Sequence, residues 1–285
     1  MGANTLLTHG STKEIGMITG DFHVHTNFSG DSDTPMEEMI KRAIKIGLTK
    51  ICFTDHMDYN YPKKYPMDFT LDVKGYLDTI TDMAKQYKDH IKIYKGIELG
   101  LTPENGAWYR ELLGRYSFDF IIGSSHVVDN LDPYYPEYWE DTEEEEGYRR
   151  YFQTILDNMK AFNDFDSYGH IDYIVRYGPN KNQNYTYEQY ADLIDEILIT
   201  LINKEKALEI NTSGYKYGLA QSHPHKDIIK RYKELGGEYI TIGSDAHRKE
   251  HLAYDFRKAE DMLISLGFEY YTIFDKRIPK LVKIQ

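Results

Sequence analysis

The sequence predicts an α/β protein, a closed or nearly closed barrel of parallel strands joined by helices. Three observations predict it. Strand-like apolar runs alternate with amphipathic helical stretches along nearly the whole chain, a pattern that parallel strands joined by right-handed crossovers produce. No linker, repeat or low-complexity tract divides the units. The 285 residues suit a single barrel, which commonly needs ~250.

Candidate strands cover 18–25, 50–54, 91–99, 118–124, 166–171, 207–212 and 238–244. Between and after them, helical patterns cover 35–46, 71–87, 104–115, 144–162, 187–203, 226–235 and 250–266. Thr34 before Pro35 reads as a capped helix start, with Asp33 as another candidate cap, and Gly47 and Gly236 as helix stops. A last short strand, 270–274, precedes a basic tail. Residues 1–16 show neither period and end just before Met17, so they read as a leader, an expression remnant or a native arm. The barrel domain is then 17–285.

Acidic residues outnumber basic ones, 46 to 34, for a formal charge of −12. That balance disfavours a nucleic-acid or anionic-membrane binder, since both need a basic face. The single cysteine, Cys52, excludes an intrachain disulfide and a CxxC zinc or redox motif, and its place inside a strand reads as core filling. No apolar run approaches the ~18 residues of a membrane span, and no signal peptide is evident. The expectation is a soluble, cytoplasmic protein. No feature specifies an oligomeric state. The 26 tyrosines read mainly as half-buried surface, where a ring packs and its hydroxyl stays wet.

The placement of polar residues carries the functional signal. In Asp21-Phe22-His23-Val24-His25, alternation puts Asp21, His23 and His25 on one face of a strand. Two imidazoles at the strand's C-terminal end make a metal pincer, and Asp21 below them could orient a ring. The next strands end in Thr54-Asp55-His56, Gly96-Ile97-Glu98, Ser124-Ser125-His126 and Gly169-His170. The seventh ends in Ser244-Asp245-Ala246-His247; the sixth, ending at Asn211, offers no strong ligand. From His25 to His170 the marks recur after 31, 42, 28 and 44 residues, the lengths of single strand–helix units. Each histidine alone could be a buried core residue. Six histidines, an aspartate and a glutamate, all at strand ends, require a cationic partner, because unpaired buried charge is costly. The cluster reads as a metal site at the face where barrels carry their chemistry. His90, His251 and His9 stand outside the pattern.

In this order, Asp-x-His-x-His, Thr-Asp-His, Gly-x-Glu, Ser-Ser-His, Gly-His and Ser-Asp-Ala-His resemble the polymerase and histidinol phosphatase (PHP) superfamily, over nearly everything from Met17 onward. The resemblance implies a distorted seven-stranded (β/α) barrel, TIM-barrel-like, holding three divalent metal ions. It places one ion on His23, His25, Glu98 and Asp245, and a second on Glu98, His126 and His170. The third would take His56, His247 and a ninth ligand, which here is Asp31, within Ser29-Gly30-Asp31-Ser32-Asp33. Mixed nitrogen and oxygen ligation suits zinc, iron or manganese.

Within the superfamily the chain looks most like the PHP-type histidinol phosphatases, through Gly169-His170-Ile171-Asp172-Tyr173, Glu209-Ile210-Asn211-Thr212-Ser213-Gly214 and the closing 268–284 stretch. That resemblance implies hydrolysis of the small phosphomonoester L-histidinol phosphate in histidine biosynthesis. Three divalent ions can bind phosphate oxygens and lower the pKa of a bridging water for in-line attack. Arg176, with Lys216 behind it, is the candidate for completing the phosphate pocket. His223 and His225, after the sixth strand, are candidates for substrate binding and for protonating the leaving group, and Asp245 for managing the proton of the attacking water. Acidic and aromatic loops at 59–68 and 129–146 suit a cationic substrate, whereas Glu143–Glu146 reads most simply as a helix N-terminus favoured by the dipole. Two other readings compete: a PHP phosphoesterase for nucleotides, oligonucleotides or phosphotyrosine, and a non-catalytic metal-binding barrel. Retention of all nine ligand positions argues against the latter. No glycine-rich nucleotide loop, GxSxG elbow or HExxH helix is present.

Overall fold

The computed structural model describes residues 18–284. The expected leader, 1–16, and His9 lie outside them.

Seven parallel strands follow one another around a nearly closed barrel: β1 (Gly20–Val24), β2 (Lys50–Phe53), β4 (Lys92–Gly100), β5 (Phe120–Ser124), β6 (Ser167–Tyr168), β7 (Ala207–Asn211) and β8 (Ile240–Gly243). The two-residue strand β3 (His56–Met57) takes over pairing with β4 above β2, setting His56 opposite Glu98. Above β1 and β8 the ring closes through His25 N–H to the Ala246 carbonyl at 3.0 Å and Asp245 N–H to the His23 carbonyl at 2.8 Å. Gly243 permits this approach, since a Cβ there would lie 2.2 Å from the His23 Cβ.

Helices α1 (Met36–Lys45), α2 (Val73–Gln86), α3 (Gly106–Arg115), α4 (Glu144–Ala161), α5 (Ala191–Asn203), α7 (Lys226–Glu234) and α8 (Phe256–Ser265) are joined by a one-turn α6 (Ser213–Lys216). In α1, Met36, Met39, Ile40 and Ala43 form the buried stripe expected of helical spacing. α4 begins with Glu144, Glu145 and Glu146, acidic side chains at the positive end of its dipole.

Several local expectations are corrected. Neither Thr34 nor Asp33 caps α1; Pro35 occupies that position, and the Thr34 hydroxyl donates instead to the His247 carbonyl at 3.1 Å. The last helix starts at Phe256 rather than near 250, because a short 3-10 turn, Lys249–His251, and the left-handed Asp255 precede it. The basic tail is a strand: β10 (Ile278–Lys283) pairs antiparallel with β9 (Tyr270–Asp275). The hairpin lies at the end of the barrel where β5 and β6 begin. Arg277 donates its backbone N–H to the Asp119 carbonyl and its Nε to both Asp166 oxygens at 3.0 and 3.1 Å. Phe274 stacks on Phe120, centroids 5.3 Å apart, and Phe120 meets Phe22 at 5.8 Å. Cys52 is buried in this core, as expected.

Candidate metal centre

Strand direction delivers one or two polar side chains from each of six strand ends to the same mouth. His23 and His25 come from β1, His56 from β3, Glu98 from β4, His126 from just beyond β5, His170 from beyond β6, and Asp245 and His247 from beyond β8. Two of these residues hold left-handed backbone, His170 at φ 25° and Asp245 at φ 53°. Such conformations are costly outside glycine and persist where surrounding contacts impose them.

Most of the short distances fall into three groups, which His56 Nδ1, 2.9 Å from Glu98 Oε2, links to one another. His23 Nε2 lies 3.2 Å from Glu98 Oε2 and 3.9 Å from Asp245 Oδ1; His25 Nε2 lies 3.5 and 3.3 Å from the same two oxygens. Glu98 Oε1 stands 3.3 Å from His126 Nε2 and 3.1 Å from His170 Nε2. Asp31 Oδ2 stands 2.9 Å from His247 Nε2 and 3.7 Å from His56 Nε2. Nitrogen and oxygen ligands around a zinc-sized ion are separated by about 3.3 Å in a tetrahedron. The ligand atoms also fall into overlapping triples, among them His25, His56 and His247, and His56, Glu98 and His126.

Outer contacts aim these rings. Glu209 Oε1 takes His23 Nδ1 at 2.5 Å, the Ser29 hydroxyl meets His25 Nδ1 at 3.2 Å, and Asp58 Oδ2 takes His126 Nδ1 at 2.7 Å. The Asp245 carbonyl accepts from His247 Nδ1 at 3.1 Å. With Nδ1 held, Nε2 faces the centre, and those of His23, His25 and His247 are buried with no hydrogen-bond partner. Buried nitrogens without partners, facing buried carboxylates, fit a cationic ligand.

Electrostatics follow from this crowding. Burial works against charge on His23, yet Glu209, Glu98 and Asp245 hold it well above the usual histidine range. Burial is likewise overridden at His56, pushed up to about 9 by Glu98 and Asp31. His25 falls well below, through burial and its neighbours His247 and His56. Despite burial, Glu98 is held well below the carboxylate range by His23, His56 and His126, and Asp245 by His23 and His25. Protons and a metal ion compete for the same atoms.

Asp21 does not orient a histidine ring; it accepts from Ser244 N–H at 3.0 Å, the Ser244 hydroxyl at 2.5 Å and Ala253 N–H at 2.9 Å, tying β8's end to β1. Arg176 stands over Tyr173, Tyr177 and Tyr217, 4.1 Å from the last ring centroid, and its Nε and Nη1 are buried without partners. Lys216 Nζ donates to the Asp245 carbonyl at 3.3 Å, and burial lowers its pKa. His223 is buried, its Nδ1 2.6 Å from Asp172 Oδ1. His225 does not join the cluster: its Nδ1 caps α7 by accepting Asp227 N–H at 3.3 Å.

Sequence reasoning assigned no role to Glu209, Asp58 and Asp172; the sixth strand offers no ligand at its end, yet it supplies the carboxylate that holds His23 Nδ1. Glu209 sits two residues before Asn211 on the same strand face, a period-two signal like that of His23 and His25. A cavity of about 450 Å³ borders the cluster through Asp58 and His126, with Tyr59, Tyr61, Asp129 and Glu104 in its walls. Arg176, Lys216 and His223 do not line it.

Residues 21–213 match the model of the PHP domain family. The chain belongs to the PHP family. A histidinol-phosphatase of Lactococcus lactis is 33% identical to this PHP protein over 255 residues, 89% of this chain and 93% of its own. A Clostridium acetobutylicum protein named "Probable histidinol-phosphatase" is 34% identical over 262 residues, 91% of this chain and 98% of its own. The crystal structure of histidinol phosphate phosphatase from Lactococcus lactis, complexed with zinc, L-histidinol and phosphate, superposes with a TM-score of 0.86 at 32% identity, covering 92% of this chain and 98% of that one. A Listeria monocytogenes structure, 18% identical, shares the PHP fold at a TM-score of 0.74, covering 84% and 99%. Among the described residues no helix is long and apolar enough to cross a membrane.

Proposed function

We propose that this PHP protein is a metal-dependent phosphomonoesterase that hydrolyses L-histidinol phosphate to L-histidinol and inorganic phosphate, a step of histidine biosynthesis. The observation that carries the reading is the juxtaposition of a buried, partly unpartnered histidine–carboxylate cluster and a guanidinium with two unpartnered nitrogens, which share Tyr173: its ring lies 4.9 Å from that of His170 and 4.9 Å from the Arg176 guanidinium. Likeness to the Lactococcus lactis enzyme over nine-tenths of the chain supports the substrate.

Three divalent ions, zinc, iron, manganese or a mixture, would be held by nine residues. His23, His25, Glu98 and Asp245 would hold one, Glu98, His126 and His170 the second, and Asp31, His56 and His247 the third; the short distances within each set support this partition, with His56 also 2.9 Å from Glu98. When bound, the ions supply Lewis acidity toward the phosphate oxygens and an acidified water.

The chain's own residues do the rest. Arg176 has no carboxylate partner in the hydrogen bonds and ion pairs among the described residues, so its free N–H groups are available to phosphate oxygens. Three tyrosine faces hold the guanidinium in place. Lys216, anchored on the Asp245 carbonyl, adds positive charge behind it. Asp245, with one carboxylate oxygen against His23 and His25, is placed to hold the proton of the attacking water. His223 is the third substrate-facing group. The exposed Tyr134, edge-on to Tyr177, which Arg176 also faces, offers aromatic surface to an imidazole-bearing leaving group.

Chelator-stripped protein reloaded with Zn²⁺ or Mn²⁺ tests the reading: phosphate release from L-histidinol phosphate should appear only on reloading, with about three ions per chain by elemental analysis. Release from the stripped protein, or saturation at a single ion, contradicts it.

A further inference from the structure

Resting on the phosphomonoesterase reading, we propose that His223 gives its Nε2 proton to the leaving oxygen of the substrate, and that Asp172 positions it for that transfer. The loop after β7 turns back so that His223 and Asn211 form an antiparallel bridge, exchanging N–H to carbonyl bonds of 2.8 and 2.7 Å. Directly opposed residues of an antiparallel pair project to the same side of the sheet. The Asn211 side chain reaches Glu209 Oε2 at 3.2 Å, and Glu209 holds His23, so that side is the interior of the barrel mouth. His223 therefore stands one layer above Glu209, beside the end of β6.

Its ring is fixed there. The side chain is 0% exposed, Asp172 Oδ1 takes Nδ1 at 2.6 Å, and Gly214 leaves room for the Cδ2 edge, which would lie 3.3 Å from a Cβ at that position. Asp172 Oδ2 accepts His225 N–H at 2.8 Å, so one carboxylate orients the ring and anchors the loop carrying it. Nε2 is left buried with no hydrogen-bond partner. A histidine whose Nδ1 is held by a buried carboxylate, with Nε2 turned toward the reacting groups, is the arrangement that moves protons in acyl transfer. Here the reaction differs but the need is the same. An alkoxide is a poor leaving group, and its departure from phosphorus requires a proton.

The step balances. As the water oxygen bonds to phosphorus and gives its proton to Asp245, the bond between phosphorus and the leaving oxygen breaks and its electron pair passes to that oxygen. That oxygen takes the Nε2 proton, L-histidinol departs as an alcohol, and His223 regains a proton from solvent. His225, whose ring caps α7, takes no part.

The test compares leaving groups. His223→Gln and Asp172→Asn are assayed, with metal content and Tm measured alongside, on L-histidinol phosphate and on p-nitrophenyl phosphate, whose nitrophenolate departs without a proton. For His223→Gln, kcat on L-histidinol phosphate should fall about 100-fold or more, at least ~10-fold further than on p-nitrophenyl phosphate. Asp172→Asn should show a smaller loss with the same bias. Free imidazole should restore part of the L-histidinol phosphate rate to His223→Gly. Equal losses on both substrates, or no loss on either, overturn the proposal; if His223→Gln does not fold, Asp172→Asn decides alone. Wild-type protein inactive on L-histidinol phosphate would refute the substrate reading, and phosphoserine then serves as the alkyl ester in the same comparison.

Discussion

Glu209 shows how much of the centre depends on residues that need touch no ion. Its Oε1 fixes the His23 ring while its Oε2 accepts the His170 backbone N–H at 2.8 Å, so one carboxylate sets two of the candidate ligands. Removing such an orienting partner typically weakens metal binding 10–100-fold. Glu209→Ala should therefore lower metal affinity by about that factor in a chelator competition, with Glu209→Gln less affected; unchanged affinity in both would contradict the orienting role. Arg176 makes a contrasting case. Arg176→Ala should keep its metal content yet lose about 10²–10³-fold in kcat/KM, the scale for one donor to a transition-state anion. Unaltered kinetics would remove it from the phosphate site. At this scale the sequence disclosed the residues with inward alternation at strand ends. It did not disclose partners such as Glu209–His23 or Asp172–His223, because pairing across 186 or 51 residues leaves no local period.

At the scale of elements, long periodic segments were legible: α1, α4 and α7 lie where the apolar spacing put them. Short elements were not. β6 keeps only Ser167–Tyr168 of an expected six-residue strand, since the chain leaves the sheet at Gly169 to bring His170 over Glu98. β3 is too short to show alternation. β10 read as a basic tail because Ile278, Leu281 and Val282 do not alternate with its polar residues in the period of two that marks a strand. Its hairpin partner carries a titrating anchor: Asp275 Oδ2 accepts from Lys280 at 2.6 Å and Lys92 at 2.8 Å, which lower its pKa from 3.8 to about 2. A depressed carboxylate contributes stability above its unfolded pKa, and the contribution vanishes as pH falls through the folded one. Wild-type protein should therefore be more stable than Asp275→Asn in urea unfolding at neutral pH, with the gap closing between pH 4 and 2. A gap that stays constant over that window would show that the Lys–Asp–Lys contact does not titrate as described.

For the whole molecule, the barrel separates two duties between its ends. The lower end, where Arg277 meets Asp119 and Asp166 and Phe274 packs on Phe120, is closed by the C-terminal hairpin. The upper end gathers the histidines, the carboxylates and the Arg176 guanidinium. Chemistry placed there follows from strand polarity, which is why a fold read from alternation alone also located the site. The most direct measurement of the central claim is phosphate release by metal-loaded protein from L-histidinol phosphate, run beside p-nitrophenyl phosphate, a nucleoside monophosphate and a dinucleotide. The account predicts a kcat/KM of ~10⁴ M⁻¹s⁻¹ or more on L-histidinol phosphate, far above the other three. Weak, even hydrolysis of all the monoesters would contradict it and assign the same metal centre to a different phosphoester.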